Sequence, residues 1–337
     1  KRILEEHYEG IKAWTDYLRS RAENNLVNYS YYGDWVAIDK APGALVSTFY
    51  YYYSAHLVSR MAEILGKSGD AEAYQKLAAE IQAAFHRKFF NPDTGSYGNG
   101  AQGANILPLF LELAPKEVRG AVASSLENDI VYGRNTHLTT GILATKYIMP
   151  LLTRMGRAEL AYELASQTSY PSWGYMIENG ATTLWELWQN KTGPSMNSHN
   201  HPMFGSVGGW FYQALAGINP DPASPGFERI RIAPQVVRDL HWASGSLQTV
   251  RGPVLSSWTR SENSLRLEVT IPTGSEAEIQ VPKLGISELA IREGGQVAWS
   301  GGKYQAGVPG LTGARETDRA VIFQAGSGHY MFEAGRQ

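Results

Sequence analysis

The 337-residue sequence contains no cysteine. That excludes disulfide frameworks, thiolate metal sites and cysteine nucleophiles. No apolar run reaches the ~18–20 residues that cross a bilayer as a helix. The most apolar stretch, LTTGILATKYIMPLL, is interrupted by Lys146 and Pro150, so no membrane partner is expected. A dense run of Lys and Arg is also missing, and the net charge is −2. A protein that tracks a nucleic-acid backbone needs a basic stripe to displace counterions, so nucleic acid is not an expected partner either. The opening KRILEEHYEG has neither an initiating Met nor the apolar segment of a signal peptide, and the compartment stays open. Nothing caps the helical pattern of Leu4, Tyr8, Ile11, Thr15 and Leu18, which is under way from the first residues. This start leads us to expect a fragment of a longer polypeptide, its first helices supplied by a missing N-terminal segment or a second chain.

Hydrophobic residues make up 43% of the chain and aromatic residues 11%, enough for the sizeable cores of two domains. Up to about residue 217 the apolar period is helical. Val46, Tyr50, Tyr53, Leu57, Met61 and Ile64 recur at three- and four-residue steps, and Tyr74, Leu77, Ile81 and Phe85 do so behind Asp70, the expected N-cap. Further helices are expected near 104–113, 116–128, 138–155, 157–167 and 201–216, with Pro115 starting one and Gly217 ending the last. Loops rich in Gly, Asn and Tyr separate them. Helical hairpins joined by such loops suggest a toroid whose loops face one mouth. Beyond the Pro-rich stretch 219–225 the period becomes two. Leu265, Leu267, Val269 and Ile271 alternate with polar residues, as do Ala277, Ile279 and Val281. The expected domains are therefore a helical one over 1–218 and an antiparallel β-sandwich over 219–337.

Six of the nine tryptophans fall in the helical half, four of them at loop-like positions beside Gly, Asp, Pro or Thr. Aromatic rings next to carboxylates and amides suit sugars, which offer apolar C–H faces and hydroxyl edges. The same tryptophans would serve equally to staple loops to the helices. Within GATTLWELW the carboxylate Glu186 lies between Trp185 and Trp188. Taken alone, that stretch reads as a helix end with its tryptophans in the core and Glu186 in water. NSHNHPMFGSVGGW sets Asn200 and His201 in a hydrogen-bonding loop. Its two histidines, His199 and His201, lack a third ligand nearby, so no metal is assigned to them.

Together these blocks carry a resemblance. YPSWGYMIENGATTLWELW followed by NSHNHPMFGSVGGWFYQALAGI resembles the signature of bacterial α-L-rhamnosidases, glycoside hydrolase family 78. YGDW, GRNTHLTTGILAT and PGFERIRIAPQ are similar to further segments of that family, so the resemblance spans essentially the whole chain. It implies an (α/α)6 six-hairpin barrel followed by a C-terminal β-sandwich. It further implies hydrolysis of terminal α-L-rhamnosyl bonds with inversion, no cofactor, no metal, and a rhamnose-containing oligosaccharide or glycoside as partner. On the same resemblance Glu186 is the general base, Asp34 and Trp35 contact rhamnose, His201 binds ligand, and Trp173 forms an aromatic wall. Trp185 and Asn200 complete the expected substrate-binding set. The sequence departs from the family where Leu187 and Gln189 stand in place of an Arg and an Asp after the base. It also lacks the acidic stretch that holds the family's general acid, which leaves that acid upstream of this chain. Two other readings remain: a six-hairpin glycosidase for a different sugar, or a non-catalytic rhamnoside-binding remnant.

Overall fold

The computed structural model describes residues 1–337 and divides into two compact units. One comprises Lys1–Met155 and Leu160–Gly205; the other comprises Gly156–Glu159 and Ser206–Gln337.

The first unit opens with three long helices, α1 (Arg2–Arg21), α2 (Gly43–Leu65) and α3 (Ser68–Phe89). Their common core contains Tyr8, Tyr51, Ala55, Val58, Ala62, Tyr74, Leu77 and Ile81. The stripe expected on α3 is the one buried. On α2, by contrast, Leu57 and Ile64 face solvent, while Leu45, Phe49 and Tyr51 are fully enclosed. This helix is apolar on nearly every side, so a single three–four stripe misidentifies its inner face. Ile11 of α1 is likewise exposed, although its neighbours Tyr8 and Thr15 are buried. Asp70 lies inside the first turn of α3 rather than at its N-cap, which is Lys67. Its Oδ2 instead accepts a 2.7 Å hydrogen bond from the Tyr8 hydroxyl. Between α2 and α3, Gly66 adopts φ +73°, and Gly66 and Lys67 donate to Glu63 and Ala62 carbonyls. That left-handed stop satisfies the last carbonyls of α2.

A short hairpin, β1 (Phe90–Asn91) and β2 (Ser96–Tyr97), leads to α4 (Gln102–Phe110), α5 (Lys116–Asn128), α6 (Ile142–Arg154), α7 (Ala158–Ser166) and α8 (Trp173–Glu178). The segment His137–Gly141 that enters α6 is irregular, yet His137, Thr139 and Thr140 are buried. Each of its buried polar backbone groups needs a partner, and side chains distant in sequence supply several. Gln102, fully buried, accepts from the Thr139 amide at 2.9 Å and donates to the His137 carbonyl at 3.0 Å. Trp188 donates its indole N–H to the Thr140 carbonyl at 2.8 Å. The Ile38 amide donates to the Thr139 carbonyl and the Ile142 amide to that of Trp35. This strap ties the loop around residue 35 to the segment around residue 186.

The second unit begins with α9 (Ser206–Trp210) and a π-helical turn over Phe211–Leu215, which stops at Gly217 with φ +78°. It continues as β3 (Ile218–Pro220), β4 (Arg229–Ile232), β5 (Trp242–Thr249), β6 (Gly252–Arg260), β7 (Ser264–Ile271), β8 (Glu276–Pro282), β9 (Leu289–Glu293), β10 (Gln296–Ser300), β11 (Lys303–Tyr304), β12 (Leu311–Glu316), β13 (Ala320–Ala325) and β14 (Gly328–Arg336). Seven strands pair in the order β11-β10-β9-β14-β7-β6-β5, and five in the order β12-β13-β8-β4-β3. All pairings are antiparallel except β4 with β8. Leu265, Leu267, Val269 and Ile271 from one sheet share a core with Ala277, Ile279 and Val281 from the other. The two-residue alternation thus marks the facing surfaces of a sandwich.

At Gly141 the strap touches the loop before it too closely for any side chain. A Cβ there would stand 2.2 Å from the Trp35 carbonyl oxygen and 2.7 Å from that of Asp34. Gly141→Ala should therefore destabilise the helical unit by about 3 kcal/mol, the upper end of overpacking costs. Gly10→Ala, mid-helix in α1 with nothing near its added Cβ, should stabilise by roughly 0.5–1 kcal/mol. Denaturant titration of the two variants checks both signs.

Candidate active site

Asp34 is the anchor. It is 1% exposed, and its carboxylate accepts three backbone N–H bonds at the start of α6. Oδ2 takes the Gly141 amide at 2.8 Å, and Oδ1 takes those of Leu143 at 2.9 Å and Ala144 at 3.1 Å. Helix N-terminal amides have no partners within the helix and carry the positive end of its dipole, so an anion is well matched there. Burial raises the Asp34 carboxyl pKa, while the three amide bonds pull it down. Both Asp34 oxygens are thus engaged inside the fold, and the next residue in the chain faces the site.

That residue is Trp35. Its indole Nε1–H donates to Glu186 Oε1 at 2.8 Å, across 151 residues. The backbone on either side is constrained. Gly33 has φ +62° and donates to Ser30 Oγ, and Val36 follows Trp35 at φ +58°. A β-branched residue in the left-handed region is strained, a condition that persists only where the surroundings over-determine it. Here they do so through Asp34 and the strap.

The segment carrying Glu186 is not a helix end. After α8, Gly180 turns the chain at φ +82°, and residues 184–186 run beside 198–201, joined to them by backbone hydrogen bonds. The Glu186 amide donates to the Ser198 carbonyl and the His201 amide to that of Leu184, each at 2.9 Å. Trp185 and Trp188 turn inward. Trp188 is fully buried, stacked on Phe204 and edge-on to Trp173. Glu186, half-buried, turns the other way. A second donor, Asn197 Nδ2, reaches the same Oε1 at 3.2 Å, whereas Oε2 has no hydrogen-bond partner.

Glu186, Trp35, Tyr32, Gly33, Ile142 and Leu143 line a concavity of about 450 Å³, within the range of small-ligand sites. Glu186 is its one carboxylate. Of the residues singled out from sequence, Trp35 and Glu186 meet in it and Asp34 lies beneath it. Trp173 and Trp185, 7% and 4% exposed, are buried and do not line this concavity. The Trp173 indole N–H is itself used by the Phe204 carbonyl. Asn200 and His201 sit on the segment bonded to the Glu186 stretch without lining the concavity, and the buried His201 Nδ1 has no partner. Sequence reasoning missed Asn197 and Tyr32, although both lie inside the motifs it quoted. It also missed Gln102, whose partners no local pattern announces.

Comparison with known proteins agrees with this architecture. The family model for the bacterial α-L-rhamnosidase six-hairpin glycosidase domain matches residues 1–215, and that for the bacterial α-L-rhamnosidase C-terminal domain matches 217–295. The structure of the α-L-rhamnosidase from Dictyoglumus thermophilum superposes with a TM-score of 0.91 at 38% identity, over 99% of this chain and 37% of that one. The Streptomyces avermitilis α-L-rhamnosidase complexed with L-rhamnose gives 0.88 at 31% identity, over 98% and 31%. A curated α-L-rhamnosidase of Alteromonas sp. is 33% identical over 300 residues, covering 84% of this chain and 32% of its own length. The chain spans about a third of the length of the curated relatives it matches.

Asp34→Ala should leave three amide donors in a buried place without their acceptor. The expected loss is roughly 3 kcal/mol, in the range for hydrogen bonds to a charged group. Asp34→Asn, which keeps an acceptor for Leu143 and Ala144 but turns an NH₂ toward Gly141, should lose less. Equilibrium unfolding with both variants tests the order; equal stability of Asp34→Ala and the parent would refute the capping role.

Proposed function

The chain belongs to the bacterial α-L-rhamnosidases of the six-hairpin glycosidase type, and on that premise we propose that it carries the water-activating half of an inverting α-L-rhamnosidase, with Glu186 as general base. One observation carries the reading. Glu186 is the only carboxylate in a sugar-sized concavity, and its two oxygens are differentiated. Oε1 is held by the Trp35 indole and the Asn197 amide, which leaves Oε2 to take the proton of the attacking water. Two donors on one oxygen also fix the carboxylate plane, as a base must be fixed to meet its proton within hydrogen-bond reach. Trp35 adds an apolar ring face at the concavity wall, suited to the C–H face of a sugar. Rhamnose as the ligand is supported by the relative solved with that sugar.

Inversion needs two carboxyl groups on opposite sides of the scissile bond, roughly 6.5–9.5 Å apart to admit water. The concavity supplies one. Asp34, the acid next to Trp35 in the chain, has both oxygens bonded to amides at the start of α6, so we assign the general acid to polypeptide outside these 337 residues. The single carboxylate also favours a second reading, a rhamnoside-binding remnant without turnover.

Glu186→Gln in the full-length natural protein separates the two. The amide keeps the size and can still accept from Trp35, but it cannot take the water's proton. For the hydrolase, kcat on an aryl α-L-rhamnoside should fall by about 10² or more, while the dissociation constant for L-rhamnose changes little. A protein that binds rhamnose but shows no turnover before mutation is the remnant. Retention of most of the parental rate in Glu186→Gln would remove Glu186 from the base role.

A further inference from the structure

The loop that delivers Trp35 carries more aromatic surface than the concavity uses. Tyr31 is 76% and Tyr32 58% exposed, whereas the helical core of the same unit encloses Phe49, Tyr51, Phe85 and Tyr97 completely. The two exposed rings are nevertheless ordered against each other. Tyr31 meets Tyr32 edge-on at 4.5 Å between centroids, and Tyr32 meets Trp35 edge-on at 4.9 Å. Neither tyrosine hydroxyl has a partner within the protein. The backbone under them is held at Gly33, by its bond to Ser30, and at Asp34, by its three bonds to α6. Within these 337 residues the run of rings leaves apolar area exposed on a rigid support. It is the arrangement expected of a contact surface for a ligand.

The order of contacts gives that surface a direction. Glu186 bonds to Trp35, Trp35 abuts Tyr32, and Tyr32 abuts Tyr31, so the strip runs from the base, along the wall of the concavity, to its rim. In an inverting hydrolysis the base and the leaving group lie on opposite faces of the anomeric carbon. A rhamnosyl unit seated against Trp35 with its water at Glu186 would then extend its leaving group along the strip. We propose that Tyr31 and Tyr32 form a subsite for the leaving group, recognising a flat ring with an apolar face attached directly to the rhamnosyl oxygen. An aromatic aglycone and the C–H face of a second pyranose share that chemistry. This inference rests on the rhamnosidase reading above.

Tyr31→Ala and Tyr32→Ala in the full-length natural protein provide the test, with thermal unfolding measured to verify that each variant folds. Three substrates are compared: 4-nitrophenyl α-L-rhamnoside, a rhamnosyl-glucose disaccharide and methyl α-L-rhamnoside. Inhibition by free L-rhamnose is measured alongside. We expect kcat/KM to fall about three- to tenfold per variant on ring-bearing substrates, roughly the contribution of one aromatic contact. For Tyr31→Ala, which lies outside the lining of the concavity, the loss on the methyl glycoside should be less than about twofold and the rhamnose inhibition constant should not move. A loss confined to the aryl substrate identifies an aromatic aglycone, one confined to the disaccharide identifies a sugar, and a loss on both identifies their shared ring face. In Tyr31→Ala, equal losses on the methyl glycoside, a rise in the rhamnose inhibition constant, or no change on any substrate would each overturn the proposal. If the unmutated protein hydrolyses none of the three, the rhamnosidase reading fails first, before the variants are informative.

Discussion

A carboxylate at the start of a helix holds this site together. Asp34 and the first amides of α6 are joined across more than a hundred residues of chain, and both partners are buried. The bond fixes where α6 begins relative to the loop before Trp35. Because the Asp34 side chain and the Trp35 indole leave the backbone at adjacent positions, locking one locks the other. Trp35 then meets Glu186 with its N–H, not merely with its face. Remove the anion and the buried amides lose their acceptor, Val36 loses the support for its left-handed backbone, and Trp35 loses its bearing on the base.

The strap from His137 to Gly141 extends the same logic to the other side of the site. Irregular buried backbone is tolerated only where its polar groups are satisfied. Here Gln102 and the Trp188 indole do much of that work. Trp188 is two residues from Glu186, so the segment that presents the base is referenced to the same strap as the loop that presents Trp35. A single short stretch thus sets the separation of the two functional side chains. Its glycine, Gly141, is there because the Trp35 carbonyl occupies the space where a Cβ would stand.

Much of the architecture was legible in the sequence, for reasons that differ between the halves. In the sandwich, each strand buries one face, so a strict alternation such as Leu265-Leu267-Val269-Ile271 identifies the core side directly. The helices were recognisable as helices, but α2 is enclosed on several sides and its inner face could not be read from one stripe. At the site, the blocks around Glu186 and Trp35 stood out, and their meeting is what the fold delivers. Read alone, the Glu186 block already had its tryptophans in the core and Glu186 in water; what the sequence left open was which loop aromatics face a ligand. Trp173, Trp185 and Trp188 look alike on paper as loop aromatics beside polar residues, yet all three face inward while Glu186 faces out. Asp34 hid for another reason: its partners are backbone amides at residues 141–144, and no spacing rule connects a loop aspartate to a helix start that far along the chain.

The central claim is a division of labour: Asp34 positions, Trp35 and Asn197 hold Oε1, and Oε2 of Glu186 acts. A crystal structure of the full-length natural protein with L-rhamnose tests it most directly. The account predicts the sugar ring against Trp35, with its anomeric carbon bridged by one water to Glu186 Oε2. It also predicts the Trp35–Oε1 bond intact and the Asp34 oxygens still on the α6 amides. Rhamnose hydrogen-bonded to Asp34, or a sugar whose anomeric centre faces away from Glu186, would contradict it.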